Sequence, residues 1–195
     1  MVYATLVVED VIQEAVALKV VSAEKIPMAI HRTIGLHGTG FIDTNISRFA
    51  RASSFGLYVV IRDLDRNECP PALVRQLLGG HLPAGLLFAV AVREVEAWLM
   101  ADGASFRRFF SVGKVEDSPE SIEEPKERVI SLARKSHKRG IREGVAPKGS
   151  AKVGELYDTF LLDYIKNHWQ VGLARRKSPS LQRFVERLSA MCGSG

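Results

Sequence analysis

Acidic residues close three apolar runs of this 195-residue chain: Glu9 after Tyr3 to Val8, Asp63 and Asp65 after Gly56 to Ile61, and Glu94 with Glu96 after Leu86 to Val92. Carboxylates crowded together repel and partly protonate, so such a set makes sense around a divalent cation. Magnesium suits it, since it takes oxygen ligands and completes its shell with waters and substrate phosphates; manganese is the alternative hard cation. Either ion could neutralise phosphate charge, activate a water or stabilise a leaving oxygen. Each acid alone has a plainer use. Asp-x-Asp after a strand makes a turn or a helix cap, and Glu9, Glu94 or Glu96 suits the first turn of a helix. The conjunction favours metal.

These acids can meet only if the segments carrying them lie side by side. Tyr3 to Val8 is a continuous apolar run that suits a strand covered on both faces. Asp10 introduces Val11 to Val21, where Val11, Ala15 and Leu18 mark a helical apolar stripe. Ile26 to Ile30 reads as a second strand, Gly35, Gly38 and Gly40 as a flexible loop, and Asp43 as the cap of a helix running through Ala52. Gly56 to Ile61 is the clearest later strand; Pro70-Pro71 opens a helix from Ala72 to Leu78, and Leu86 to Val92 is a further buried strand. Such alternation predicts βαβ units and a parallel sheet, in which ligands gather at the carboxyl ends of the strands. In extended backbone Asp63 and Asp65 share one side and Leu64 points away. Glu94 and Glu96 both join them if that segment is extended; once a helix has begun they stand about 200° apart and only one contributes.

From Asp102 onward the pattern is helical, over Phe106 to Phe110, Lys126 to Lys138, Leu156 to Trp169 and Ser180 to Met191, with surface loops expected at Glu116 to Glu124 and Gly140 to Gly154. The expected organisation is an α/β core of residues 1–101 and a helical, basic appendage of residues 102–195 packed on it as one structural domain. The net charge of +5 is uneven: residues 1–100 carry 9 Lys/Arg against 10 Asp/Glu, and the remainder carries 18 against 12. An excess concentrated in half a chain points to a polyanion such as DNA or RNA. Lys135, Lys138, Arg139 and Arg142 lie in the densest basic stretch, which includes Lys148 and has no interleaved aromatic residue, so phosphate contact suits it better than base stacking. Arg175, Arg176 and Lys177 precede Ser178-Pro179, a helix start whose N–H groups suit an anion. A solvated basic face is the plain alternative for both. His31 and His37 are either surface residues or neighbours of the acidic crevice. Two cysteines, Cys69 and Cys192, imply neither a disulfide framework nor a zinc site. No apolar run approaches the roughly 18 residues of a membrane span, and the expectation is a cytoplasmic protein.

Leu6-Val7-Val8-Glu9, followed by Gln13-Glu14-Ala15-Val16 and by Val59-Val60-Ile61-Arg62-Asp63-Leu64-Asp65-Arg66, resembles the Toprim pattern of a strand-end glutamate and a downstream Asp-x-Asp. The chain is most similar to the small Toprim-like proteins of bacteria and archaea that occur beside ATPase genes and are associated with phage or plasmid defence. Cys69-Pro70, Val92 to Leu99, Pro125-Lys126 and Ser178 to Leu181 extend the likeness. The resemblance implies a Toprim/Rossmann-like, largely parallel sheet with helices on both faces. It further implies Glu9 as general acid/base or metal-linked glutamate, Asp63 and Asp65 as metal ligands, and a magnesium- or manganese-dependent nuclease acting on nucleic acid. Two departures stand out. Asp10 replaces the usual glycine, adding a ligand or distorting the turn, and Gln13 replaces an acid, removing charge. They open a second expectation, a non-catalytic binding or effector subunit of a partner ATPase.

Overall fold

Strands buried on both faces in the first hundred residues build one sheet. The computed structural model describes residues 1–36, 38–147 and 150–193. Strands β1 (Val2–Val8), β2 (Met28–Gly35), β3 (Leu57–Asp63) and β4 (Leu86–Ala91) pair in the order β2-β1-β3-β4, every pair parallel. Helices α1 (Val11–Ala23), α2 (Thr39–Ala52) and α3 (Pro70–Leu78) connect them. The fold is α/β and Rossmann-like.

Alternation decides which helix covers which face. Val7, Val60 and Phe88 pack with Ile42, Ile46 and Phe49 of α2 and with Val74 of α3. Their neighbours Val8, Ile61 and Ala89 face the opposite way, into a larger core shared with α1 and with the helices that follow β4. Those helices are α4 (Val95–Ala101), α5 (Gly103–Phe110), α6 (Pro125–Arg134), α7 (Arg139–Val145), α8 (Tyr157–Asn167), α9 (Val171–Ala174) and α10 (Pro179–Gly193), with a 3-10 turn at Pro119–Ser121. Trp98, Phe106, Tyr164 and Phe184 are buried in the same cluster as Leu6 and Val16, so one core spans both parts of the chain. Trp98 stacks on Phe184 at 5.5 Å, and its Nε1–H donates to Ser180 Oγ at 2.7 Å, as expected of a core residue.

Several local expectations shift. The second strand lies at Met28–Gly35 rather than 26–30. The buried stripe of α1 is Ile12, Val16, Ala17 and Val20, while Leu18 is 45% exposed. Helix α2 begins at Thr39, so Asp43 sits inside it and does not cap it. The stretch 140–154 is not wholly loop, since α7 occupies its start and Gly154 N–H donates to Val145 O. The glycine loop is not a loose spacer either. Gly35, at φ 116°, lies so close to Val8 that a Cβ there would fall 1.9 Å from Val8 O. That approach lets Leu36 N–H reach Val8 O and Gly38 N–H reach Glu9 O, at 3.2 and 3.0 Å.

Candidate functional site

β1 lies between β2 and β3, and the chain leaves β1 toward β2 while the later strands add on the other side. The carboxyl ends of β1 and β3 therefore flank the switch point, where a doubly wound sheet opens a crevice. Glu9 and Asp63 stand there.

The turn after β1 is tightly held. Asp10, extended at φ −150°, accepts from the N–H groups of Ile12 and Gln13 at 2.9 Å each and so caps α1. Gln13 Oε1 accepts from Glu9 N–H at 2.9 Å, a reciprocal lock resembling a capping box. The two departures from the Toprim pattern thus close the turn; Asp10 does not distort it. Gln13 is fully buried, and its Nε2 donor finds no partner among the described residues.

Glu9, 6% exposed, spans the two strands. Its Oε1 accepts from Asp63 N–H at 3.2 Å and lies 3.4 Å from Arg62 Nη1. The Arg62 guanidinium is buried at the same crest and also donates to Asp65 Oδ2 at 2.6 Å, to Asp43 Oδ1 and Oδ2 at 3.0 and 3.2 Å, and to the Asp63 carbonyl. Burial raises the Glu9 carboxyl to about 7, against the lowering pull of Arg62 and of the Asp63 N–H. Burial pulls Arg62 down, but its bonds to Asp43 and Asp65 and the charge of Glu9 raise it overall, so it stays protonated.

Asp63 faces the other way. By strand alternation it joins the Ile61 side of the sheet, and its Oδ1 accepts from Val95 N–H at 3.0 Å at the start of α4. Asp65 does not share that face as expected. The strand ends at Asp63, and Asp65 adopts left-handed backbone at φ 50°, which returns its carboxylate to Arg62. Glu9, Asp63 and Asp65 make these contacts through one oxygen each.

Glu94 and Glu96 both reach the site, for a reason the either-or expectation omitted. Glu94 is the extended cap at φ −138° and Glu96 lies in the first turn of α4, yet both converge on Lys126. Glu94 Oε2 accepts from Lys126 N–H at 2.7 Å; Glu96 Oε1 lies 3.6 Å from Lys126 Nζ and accepts from Tyr157 O–H at 2.9 Å. Burial, then the charge of Glu96, raises Glu94 to about 7. Burial, then Glu96 and Glu9, holds Asp63 well above the carboxylate range, and burial raises Glu96 despite Lys126. Burial lowers Lys126, but Glu96, Asp10, Glu94 and Asp63 outweigh it and raise the ammonium. A cleft of about 910 Å³ opens beside Asp65 and Glu94, with Arg66, Glu124, Lys126 and Lys152 on its walls.

Reading from sequence left out four members: Arg62, Asp43, Lys126 as a site residue, and Tyr157. Arg62 carried a signal, because a charge inside a strand buried on both faces needs partners. His31 falls at the bulge of β2, between residues paired to Ala4 and Arg32 to Thr5, with its ring 6.4 Å from Tyr3; it is not in the crevice. His37 and Lys148 lie outside the described residues.

Much of the basic surface serves the fold. Lys138 Nζ donates to Phe109 O at 2.8 Å and sits over the Phe109 ring, and Arg142 donates to Ser136 O at 2.6 Å. Arg139 pairs with Glu143 at 2.8 Å, Arg175 with Glu24 at 2.9 Å, and Lys177 with Asp117 at 3.8 Å. Lys135 and Arg176 are exposed. The anion expected at the start of α10 is internal: Glu120 Oε1 accepts from Ser180 N–H, Ser180 Oγ and Ser178 Oγ at 2.8, 2.7 and 2.5 Å.

Oxygen donors alone and acids held above their ordinary pKa fit a hard cation with its waters, whereas the orphaned Gln13 N–H is a hydrogen-bond donor and adds nothing to that fit. Against this, Arg62 already neutralises Glu9 and Asp65, and no three Asp, Glu, His or Cys side chains among the described residues form a preassembled ion cage. No helix among the described residues is long and apolar enough to cross a membrane. Comparison with protein-family models, curated proteins and solved structures finds no match.

Proposed function

We propose that this chain is a Toprim-like, magnesium- or manganese-dependent phosphodiester hydrolase acting on nucleic acid, associated with defence and with a partner ATPase. The observation that carries the proposal is the meeting of Glu9 with the Asp63 backbone at the switch point, beside Asp65, Glu94 and Glu96. For Asp63 and Asp65 to hold one cation, Asp65 would have to swing from Arg62 toward the Asp63 side, Asp63 keeping one oxygen on Val95 N–H. The bound ion would neutralise phosphate charge and acidify a water. Glu9, at the end of β1, would accept the proton of the attacking water. The water oxygen bonds to phosphorus as the ester P–O bond breaks and the leaving oxygen takes a proton from solvent. Arg66 and Lys152 at the cleft and exposed Lys135 and Arg176 are among the cations available for phosphate.

The test is cleavage of single- and double-stranded DNA and RNA by the purified chain with magnesium, manganese or EDTA. Metal-dependent cleavage that Asp63→Asn abolishes supports the reading. Intact nucleic acid under every condition, including with an added ATPase from a neighbouring gene, overturns it.

A second reading, a non-catalytic effector subunit, is favoured by two observations. Arg62 occupies positive charge at the place of a cation, and Glu123, Glu124 and Glu127 line the same cleft, where a polyanion would meet them. Magnesium calorimetry separates the readings: the enzyme binds the ion and Asp63→Asn loses it, whereas the effector subunit gives no heat in either form.

A further inference from the structure

The two edges of the sheet are built differently. β2 carries a bulge, where the register slips between Ala4 and Thr5, and exposes His31 and Arg32 along it, the usual protection of an open edge. β4 is the other edge, and no strand lies beyond it among the described residues. Gly85 O and Ala91 O accept from Tyr58 and Leu64 on the β3 side, so the odd positions bond inward and the even ones outward. Two outward groups are already met by side chains: Arg187 Nη1 donates to Phe88 O at 2.9 Å, and Val92 N–H donates to Ser180 Oγ at 3.3 Å. The same alternation turns the N–H of Phe88 and both polar groups of Val90 outward. An arginine thus stands where the N–H of a neighbouring strand would be.

This edge floors a groove. A cavity of about 750 Å³ runs along Phe88 to Val90 between α3 and α10, walled by Pro71, Val74, Arg75, Arg183, Phe184 and Arg187. A second, of about 560 Å³, continues along Leu86 and Leu87 and shares Arg187. The two cover most of the strand. Three arginines line them and no acidic residue does.

We propose that the free edge of β4 docks an acidic segment of another polypeptide, which adds to the sheet as a fifth strand. The outward N–H of Phe88 and the N–H and C=O of Val90 supply the backbone donors and acceptor, Val74 takes an apolar side chain, and Arg75 and Arg183 take carboxylates; Arg187 must release Phe88 O for the added strand to extend that far. A second copy of this chain is the poorer occupant, since β4 against β4 would bring two sets of three arginines together. A polyanion without peptide groups would leave the edge donors and acceptors of the strand unmatched.

The experiment is an NMR titration of the full isotope-labelled chain with three probes up to millimolar concentration: an eight-residue peptide of alternating Val and Glu, its Val and Lys counterpart, and a 12-nucleotide single-stranded DNA. The acidic peptide is expected to shift the amides of Phe88 and Val90 saturably, with the basic peptide at least tenfold weaker. The double variant Arg75→Glu/Arg183→Glu, both residues surface-exposed, is expected to reverse that preference while leaving the remaining spectrum in place. Equal response to both peptides, no shift at Val90, a stronger DNA response at the same amides, or concentration-dependent dimerisation through this edge would each overturn the proposal.

Discussion

Replacing Arg62 with Met removes one charge from the centre of the crest and keeps a side chain of similar reach. The guanidinium serves Glu9, Asp43 and Asp65, but their burial differs: Glu9 is 6% exposed, against 34% and 37% for the other two side chains. Breaking a buried ion pair from one side costs about 3–5 kcal/mol, whereas a partly exposed pair is worth about 1 kcal/mol or less. Asp43 and Asp65 can rehydrate, so the loss is set by Glu9, and because the variant can protonate it the loss at pH 8, one pH unit above about 7, is limited to about 1.4 kcal/mol. For a chain of this size the melting temperature at pH 8 falls by about 3–6 °C. The loss must depend on pH. Glu9 already takes its proton near 7 with Arg62 beside it, and without that charge it stays protonated to higher pH. At pH 5.5 parent and variant both bury a neutral Glu9, and its share of the cost falls close to zero. Calorimetric melting at pH 5.5 and pH 8 measures both values. An equal drop at the two pH values would mean that Arg62 acts through packing alone and would refute the electrostatic account. If the acids also share a cation, 10 mM magnesium raises the melting temperature of the variant more than that of the parent.

Asp63→Asn keeps an oxygen for Val95 N–H while removing a carboxyl whose ionisation burial opposes, its pKa held well above the ordinary range. Stability at pH 8 is expected to be unchanged or higher by urea unfolding, with metal-dependent cleavage down about 100-fold or more; a destabilised variant would show that the ionised carboxylate stabilises the fold. Glu9 and Glu94, raised from 4.5 to about 7, keep protons in the folded chain that the unfolded chain has released. Their contribution to stability is full below about 4.5 and is lost as pH rises through 7, so the urea midpoint should fall from pH 5.5 to pH 8; a flat or rising midpoint contradicts the raised values. Glu120→Ala strips three hydrogen bonds from Ser178 and Ser180 at the start of α10 and should cost about 2 kcal/mol in thermal unfolding. A loss below 0.5 kcal/mol, on the scale of an ordinary surface substitution, would show that water replaces the carboxylate there.

The parallel sheet and its strand-end acids were legible in the sequence because both are local: a run buried on two faces is continuously apolar, and a carboxylate at its end follows from the next residue. That Glu9 meets Asp63 depends on β1 and β3 being neighbours, which the sheet order and not the sequence decides. The face each acid takes was decided by tertiary structure. Asp65 turns back to Arg62 through one left-handed residue, a backbone choice that the Asp-x-Asp spacing does not carry. The partners of the charges were not legible either. Arg62 with Asp43, Glu96 with Tyr157, Lys126 with Glu94 and Glu120 with Ser180 are separated by 19, 61, 32 and 60 residues. Charge along a chain states how much attraction is available, and only packing decides which groups are desolvated together. That is why Lys138, read as a cation for a polyanion, is instead drawn to the Phe109 carbonyl, and why the pull of buried carboxylates on Lys126 was not foreseen.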